Sequence, residues 1–188
     1  MLPRVAVDLD GVLANTIAAC CRIINNRHST HFQASSFVHW KAWEIANISM
    51  DEFFRSLDEA WFDWRNIPPT EKRLADKIEE LRQLSNVDIV TSRSIETVAP
   101  AKSWLKAEGI RFNSFVRTDS GMDKADLSYD LFIDDSPELM SALSSKPDRY
   151  GILYAQPWNQ ELPTLPRISR VDSWNQIPQR VRELLKVK

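Results

Sequence analysis

Asp8 and Asp10 lie two residues apart in "VAVDLDGVLANT" (5–16), where an apolar run ends in two carboxylates and a glycine. Aspartate is depleted in strands and adjacent carboxylates repel each other, so this placement calls for a compensating positive charge. A second pair, Asp134 and Asp135, follows the apolar "LFI", and Thr91 and Ser92 close another run, "VDIVTS". Carboxylate oxygens from two strand ends suit Mg²⁺, a hard ion that prefers octahedral oxygen ligands and commonly shares itself with a substrate phosphate. A lysine and a hydroxyl beside them would neutralise and orient the remaining phosphoryl oxygens. Lys124, shortly before the Asp134 run, is the preferred lysine, because a loop feeding that strand would bring it to the same edge. Lys102, on the helix expected after "VTSRS", is the alternative.

The elements that must position these groups follow from the hydrophobic pattern. Strands are expected at 5–9, 87–92, 112–118, 131–134 and 150–155, with amphipathic helices at 70–84, 95–108, 137–143 and 173–186 between or after them. Several helices begin at a Ser, Thr or Asp cap, and Gly109 closes the second. Apolar strands alternating with helices predict a parallel sheet covered on both faces, an α/β, Rossmann-like doubly wound fold, in which ligands bind at the carboxyl ends of the strands.

One interval breaks the alternation. Roughly 55 residues separate the first strand from Pro68, where a crossover helix and its loops need about 30 or fewer. The excess holds a helix expected at 14–26 and a run dense in aromatics: Phe32, Phe37, Trp40, Trp43, Phe53, Phe54, Trp61, Phe62 and Trp64. A small helical cap over the carboxyl edge accounts for both. The expected division is a core of 1–13 and 67–188 with a cap of 14–66.

Composition limits the partners. With 24 Lys and Arg against 26 Asp and Glu and no basic run, no polymeric nucleic acid is expected. No stretch approaches the roughly 20 apolar residues of a membrane span, and the first strand leaves no room for a leader, so the expected location is the cytoplasm. Cys20 and Cys21 are adjacent in a helical pattern and read as buried thiols. His28, His31 and His39 lack the further spaced ligands of a zinc site. A second copy of the chain, as a homodimer, is the one macromolecular partner left open.

"DLDGVL", "TS", the lysine and "DD", in this order and each near a strand end, resemble the four motifs of the haloacid dehalogenase (HAD) phosphatases. An EF-hand loop is the other reading of such a start, but it needs glycine sixth and glutamate twelfth, whereas Gly11 is fourth from Asp8. Within the superfamily, "DLDGVLANT", "NVDIVTSRS", "DKADLSYDLFIDD" and "LYAQPWN" resemble the cytosolic pyrimidine 5′(3′)-deoxyribonucleotidase-like family. The resemblance implies Asp8 as the nucleophile that forms an aspartyl-phosphate, and Asp10 as the acid that protonates the leaving alkoxide and then deprotonates water. It implies Mg²⁺ held by Asp8, the Asp10 carbonyl and Asp134, with Asp135 a further ligand or the group that orients Lys124. Thr91 would hydrogen-bond a phosphate oxygen, with Ser92 and Arg93 adding to it, although Arg93 stands where the nucleotidase pattern commonly has proline. Gly11 would let the turn bend tightly and bring its amide to the phosphate. Taken alone, "IDDS" also reads as a strand end whose Asp135 or Ser136 caps the next helix.

The implied substrate is a small phosphomonoester, a nucleoside monophosphate first. Aromatic faces can stack on a base, and Trp43, Phe54, Trp61 and Trp64 are the candidates, beside the equal expectation that a small cap builds its own core from Trp and Phe. Arg65 and Arg117 could meet a base carbonyl or ribose hydroxyl, and Asn159, after a strand end, the cap or substrate. A sugar phosphate or phosphoglycolate phosphatase shares every core residue. A catalytically silent binding module would have no need of Asp10.

Overall fold

The computed structural model describes residues 2–186. Six strands, β1 (Arg4–Val7), β2 (Asn86–Thr91), β3 (Phe115–Arg117), β4 (Leu131–Asp134), β5 (Tyr150–Tyr154) and β6 (Ile168–Val171), form one parallel sheet in the order β3-β2-β1-β4-β5-β6. The central strands β1, β2, β4 and β5 read as largely apolar runs because both of their faces are covered. Val5, Val7, Ile89 and Ile133 pack on one face with α4 (Leu74–Arg82), α5 (Val98–Ala107) and α7 (Ile177–Leu185). Ala6, Val90, Phe132 and Leu153 face the other way, onto α6 (Pro137–Ser144). In this strand order the chain leaves β1 towards β2 on one side and returns to β4 on the other, which opens a crevice at the carboxyl ends of β1 and β4.

Some boundaries move for identifiable reasons. The helix expected from residue 70 starts at Leu74, because Thr70 is spent on the chain crossing: its N–H donates to the Leu13 carbonyl at 2.8 Å and its hydroxyl to the Val12 carbonyl at 2.7 Å. The strand expected at 112–118 shrinks to Phe115–Arg117, since Asn113 uses its side chain to accept from the Val87 N–H (3.1 Å). The short edge strand β6 has a polar, half-exposed sequence, "ISRV", that gives no apolar run to detect.

Residues between β1 and α4 build their own layer: α1 (Thr16–His28), α2 (Ala42–Ala46) and α3 (Met50–Phe62). Asn15 caps α1, accepting from the Ala18 N–H, and Ser49 caps α3 with Asp51 and Glu52 in its first turn. Phe37, Phe53, Ile24 and the two cysteines make a small core of their own. Burial pushes the Cys20 thiol up to about 12 and the Cys21 thiol to about 11, so both stay neutral. The two crossings into this layer run side by side, with Ala14 bridged to Pro69 and the Asn15 N–H on the Pro68 carbonyl. The layer is also pinned at a third point. Trp61 of α3 stands edge-on to Trp104 of α5 at 6.1 Å, and the Trp104 indole N–H donates to the Ile67 carbonyl.

Candidate active site

Asp8 follows β1 directly, and its N–H continues the ladder onto the Ile133 carbonyl of β4 at 2.9 Å, so Asp8 and Asp134 are neighbours across the crevice. Lys124 reaches them from a single turn at Met122–Asp126; its ammonium donates to Asp8 Oδ1 at 2.7 Å and Asp134 Oδ2 at 2.8 Å. Lys124 is 4% exposed and Asp8 7%. Burial disfavours the ammonium's charge, but the Asp134 and Asp8 carboxylates outweigh it and raise Lys124 above its ordinary value. Lys102 lies elsewhere, with its ammonium 5.1 Å from the centroid of the Phe115 ring. The lysine at the carboxylates is therefore Lys124.

Asp135 is buried beside them, and its Oδ2 accepts from the Trp158 indole N–H at 3.1 Å. Burial first, then the charges of Asp134 and Asp8, raises Asp135 well above the usual carboxylate range; burial raises Asp8 as well, against the pull of Lys124 and with the charges of Asp134 and Asp10 adding to the rise. Oxygens of Asp8, Asp134 and Asp135 lie within 4.8 Å of one another. Three buried carboxylates facing one ammonium leave an excess of negative charge that is costly in a low-dielectric site. An all-oxygen donor set with that excess fits a hard divalent cation. The Asp10 side chain stands outside this trio. Lys124 is oriented by Asp8 and Asp134 rather than by Asp135, and Ser136, not Asp135, caps α6, accepting from the Leu139 N–H.

Gly11 has φ +76°, and a Cβ there would come within 2.1 Å of Asp135 Oδ2. The glycine is demanded by both conformation and space. Its N–H, expected to approach a phosphate, is instead spent on the Ala14 carbonyl at 2.8 Å, which tightens the turn after β1.

Asp10 rises above the trio. Its Oδ1 accepts from the Thr16 hydroxyl at 2.6 Å and the Trp61 indole N–H at 2.9 Å, with the Arg93 guanidinium 3.5 Å away. With Oδ1 occupied by donors, a proton on this carboxyl belongs on Oδ2. Thr91, at the end of β2, is buried with its hydroxyl accepting from the Arg93 N–H at 3.3 Å. Arg93 folds back to pair with Asp58 of α3 at 2.5 Å.

These groups line one cleft of about 440 Å³, within the range of small-ligand sites. Asp8, Asp10, Thr91, Ser92, Lys124 and Asp134 form its floor, and Trp43, Phe53, Phe54 and Leu57 of the inserted layer its far wall. Of the aromatics offered for stacking on a base, Trp43 and Phe54 line the cleft, with ring centroids 6.0 Å apart. Trp61 does not line it: the ring is fully buried, with its indole N–H on Asp10. Asn159 is also withdrawn, its amide donating to the Asp135 and Tyr154 carbonyls. Arg65 stacks on Trp64, and Arg117 donates to the Arg93 carbonyl and pairs with Asp119. His28 pairs with Glu52, while His39 lines the cleft mouth. Thr16 and Asp58 were not foreseen; no spacing rule ties a helix-starting threonine or an aspartate on α3 to groups distant in the chain.

The fold and this edge define the class, a phosphatase of HAD type. The chain matches, over residues 2–187, the family described as "5' nucleotidase, deoxy (Pyrimidine), cytosolic type C protein", and it belongs to that family. Comparison with curated protein sequences finds no match. Among solved structures it shares its fold with a haloacid dehalogenase-like hydrolase from Streptococcus pneumoniae (TM-score 0.65, 12% identity, 94% of this chain and 96% of that one covered). A predicted phosphoglycolate phosphatase from Haemophilus somnus superposes with TM-score 0.60 at 19% identity, covering 95% and 97% of the two chains. YfnB from Bacillus subtilis, in a structure bound to magnesium, gives 0.58 at 13% identity over 96% and 98%.

Proposed function

We propose that the protein is a Mg²⁺-dependent 5′-nucleotidase of the cytoplasm that hydrolyses nucleoside monophosphates through an aspartyl-phosphate, with residues 14–66 as its cap. The observation that carries this reading is the Lys124 ammonium bonded to both Asp8 and Asp134, with Asp10 over them in a cleft walled by Trp43 and Phe54. Family membership supports the nucleotide, and the magnesium in the Bacillus subtilis structure supports the ion. No helix among the described residues is long and apolar enough to cross a membrane.

Asp8, Asp134 and Asp135, with the Asp10 carbonyl, would hold Mg²⁺. When bound, the ion supplies charge neutralisation for the phosphoryl oxygens and keeps Asp8 ionised. An Asp8 oxygen forms the bond to phosphorus as the bond to the ester oxygen breaks, and Asp10 Oδ2 delivers its proton to that oxygen. Lys124 and the Thr91 hydroxyl hold the phosphoryl oxygens, with Ser92 at the open side. Asp10, now a base, takes a proton from water as the water oxygen attacks phosphorus, releasing phosphate and Asp8. The cap limits water and admits small esters. Asp10 lines the cleft, which weighs against a silent binding module.

The test is phosphate release from nucleoside monophosphates, sugar phosphates and phosphoglycolate with Mg²⁺. A deoxynucleoside monophosphate should be turned over best. EDTA should abolish the activity, and Asp8→Asn should lower kcat by about a thousandfold or more. Better turnover of phosphoglycolate would keep the chemistry and overturn the nucleotide; a folded protein that hydrolyses nothing would overturn both.

A further inference from the structure

We infer that Arg93, clamped by Asp58, is a positioning residue for Asp10, so that the cap takes part in the leaving-group step rather than only covering it. The inference rests on the phosphatase reading above, in which Asp10 protonates the leaving oxygen. Arg93 is 7% exposed, an unusual state for an arginine, which is almost never buried without a partner. One branch of its guanidinium has that partner: Nη2 is 2.5 Å from Asp58 Oδ1, on the cap helix α3. The other branch, Nη1, is buried and has no hydrogen-bond partner among the described residues; it stands 3.5 Å from Asp10 Oδ1, an ion-pair distance.

The geometry gives the pair a direction. Oδ1 of Asp10 already receives Thr16 and Trp61 from α1 and α3. Arg93 adds a fixed positive charge on the same oxygen, and its own position is set from α3 through Asp58. All three groups therefore draw Oδ1 inward, towards the cap, and leave Oδ2 to carry the proton that the leaving group receives. The Arg93 main chain is fixed as well, with its N–H on the Thr91 hydroxyl and its carbonyl accepting from Arg117 Nε at 3.0 Å. The guanidinium stands on the Asp10 side of the cleft, whereas Lys124 meets Asp8 and Asp134. Arg93 therefore acts on the departing oxygen through Asp10 and not on the transferring phosphoryl group.

Leaving groups of different basicity separate this from a structural role. An alkoxide needs a proton to depart, while nitrophenolate does not. Arg93→Met should lower kcat for the best nucleoside monophosphate by about 30-fold, within the usual contribution of a general acid, and kcat for p-nitrophenyl phosphate by less than about threefold. KM for both, and inhibition by inorganic phosphate, should hold within about threefold. Arg93→Lys should recover part of the loss, and Asp58→Asn should repeat the selective fall at about a third of its size or more. Equal losses on both esters, or a rise in KM and weaker phosphate inhibition with both, would overturn the assignment, the second by making Arg93 a phosphate ligand. If the wild-type protein is inert to every ester, the phosphatase reading itself falls.

Discussion

Asp8 and Asp10 stand two residues apart just past the end of β1, yet their surroundings differ. Asp8 is buried against an ammonium and two other carboxylates; Asp10 faces the cleft with one oxygen held by Thr16 and Trp61. The space between depends on Gly11, where any side chain would run into Asp135. Gly11→Ala should therefore lose about 1–3 kcal/mol of stability through the strained φ alone, and should weaken Mg²⁺ activation by displacing Asp135. Thermal unfolding and a Mg²⁺ titration of activity check both; a melting temperature and activation constant equal to wild type would refute the prediction. The motif residues were legible because the chemistry restricts which types can serve. Thr16 and Asp58 were not, since their roles consist only of what they touch.

At the scale of elements, α3 does more than wall the cleft. Its buried positions, Phe53, Ser56, Ala60 and Trp61, repeat at helical spacing and turn one face of the helix inward. Trp61 was open to two readings, a base-stacking face or part of a core built from Trp and Phe; in the fold its ring packs on Trp104 and its N–H reaches Asp10. Trp61→Ala should cost about 3–5 kcal/mol by leaving a large cavity between α3 and α5, while Trp61→Phe, which keeps most of the packing, should cost about 1–2 kcal/mol. Urea unfolding of the two variants measures the difference. Equal, small losses would mean that the layer is not pinned at this point. An aromatic side chain in a sequence tells how much surface wants burial, not which surface will cover it.

For the whole molecule the buried carboxylates tie stability to pH and, on the proposed Mg²⁺-dependent reading, to the metal as well. Asp8 and Asp135 are raised above their unfolded values, so their protonated forms support the metal-free fold at low pH, and that contribution is lost as the pH rises through the folded values, about 7 for Asp8. Mg²⁺ requires the same groups ionised, so its stabilisation should grow from pH 5 to pH 8. At a hundredfold excess over its dissociation constant, Mg²⁺ should add about 2.7 kcal/mol at pH 8 and clearly less at pH 5. Melting curves with Mg²⁺ and with EDTA at the two pH values test this; a shift independent of pH would refute it.

The sequence by itself determined the doubly wound α/β class, the extra layer after β1, and Asp8, Asp10, Thr91 and Asp134 at one edge, with two lysines in contention beside them. These follow from local periodicity and from chemistry that tolerates few residue types. The tertiary structure decided between Lys124 and Lys102, withdrew Trp61 and Asn159 from the cleft, spent the Gly11 amide on its own turn, and set Arg93 between Asp58 and Asp10. Those outcomes depend on which of several available partners a buried polar group meets first, and that is settled only when distant segments pack together.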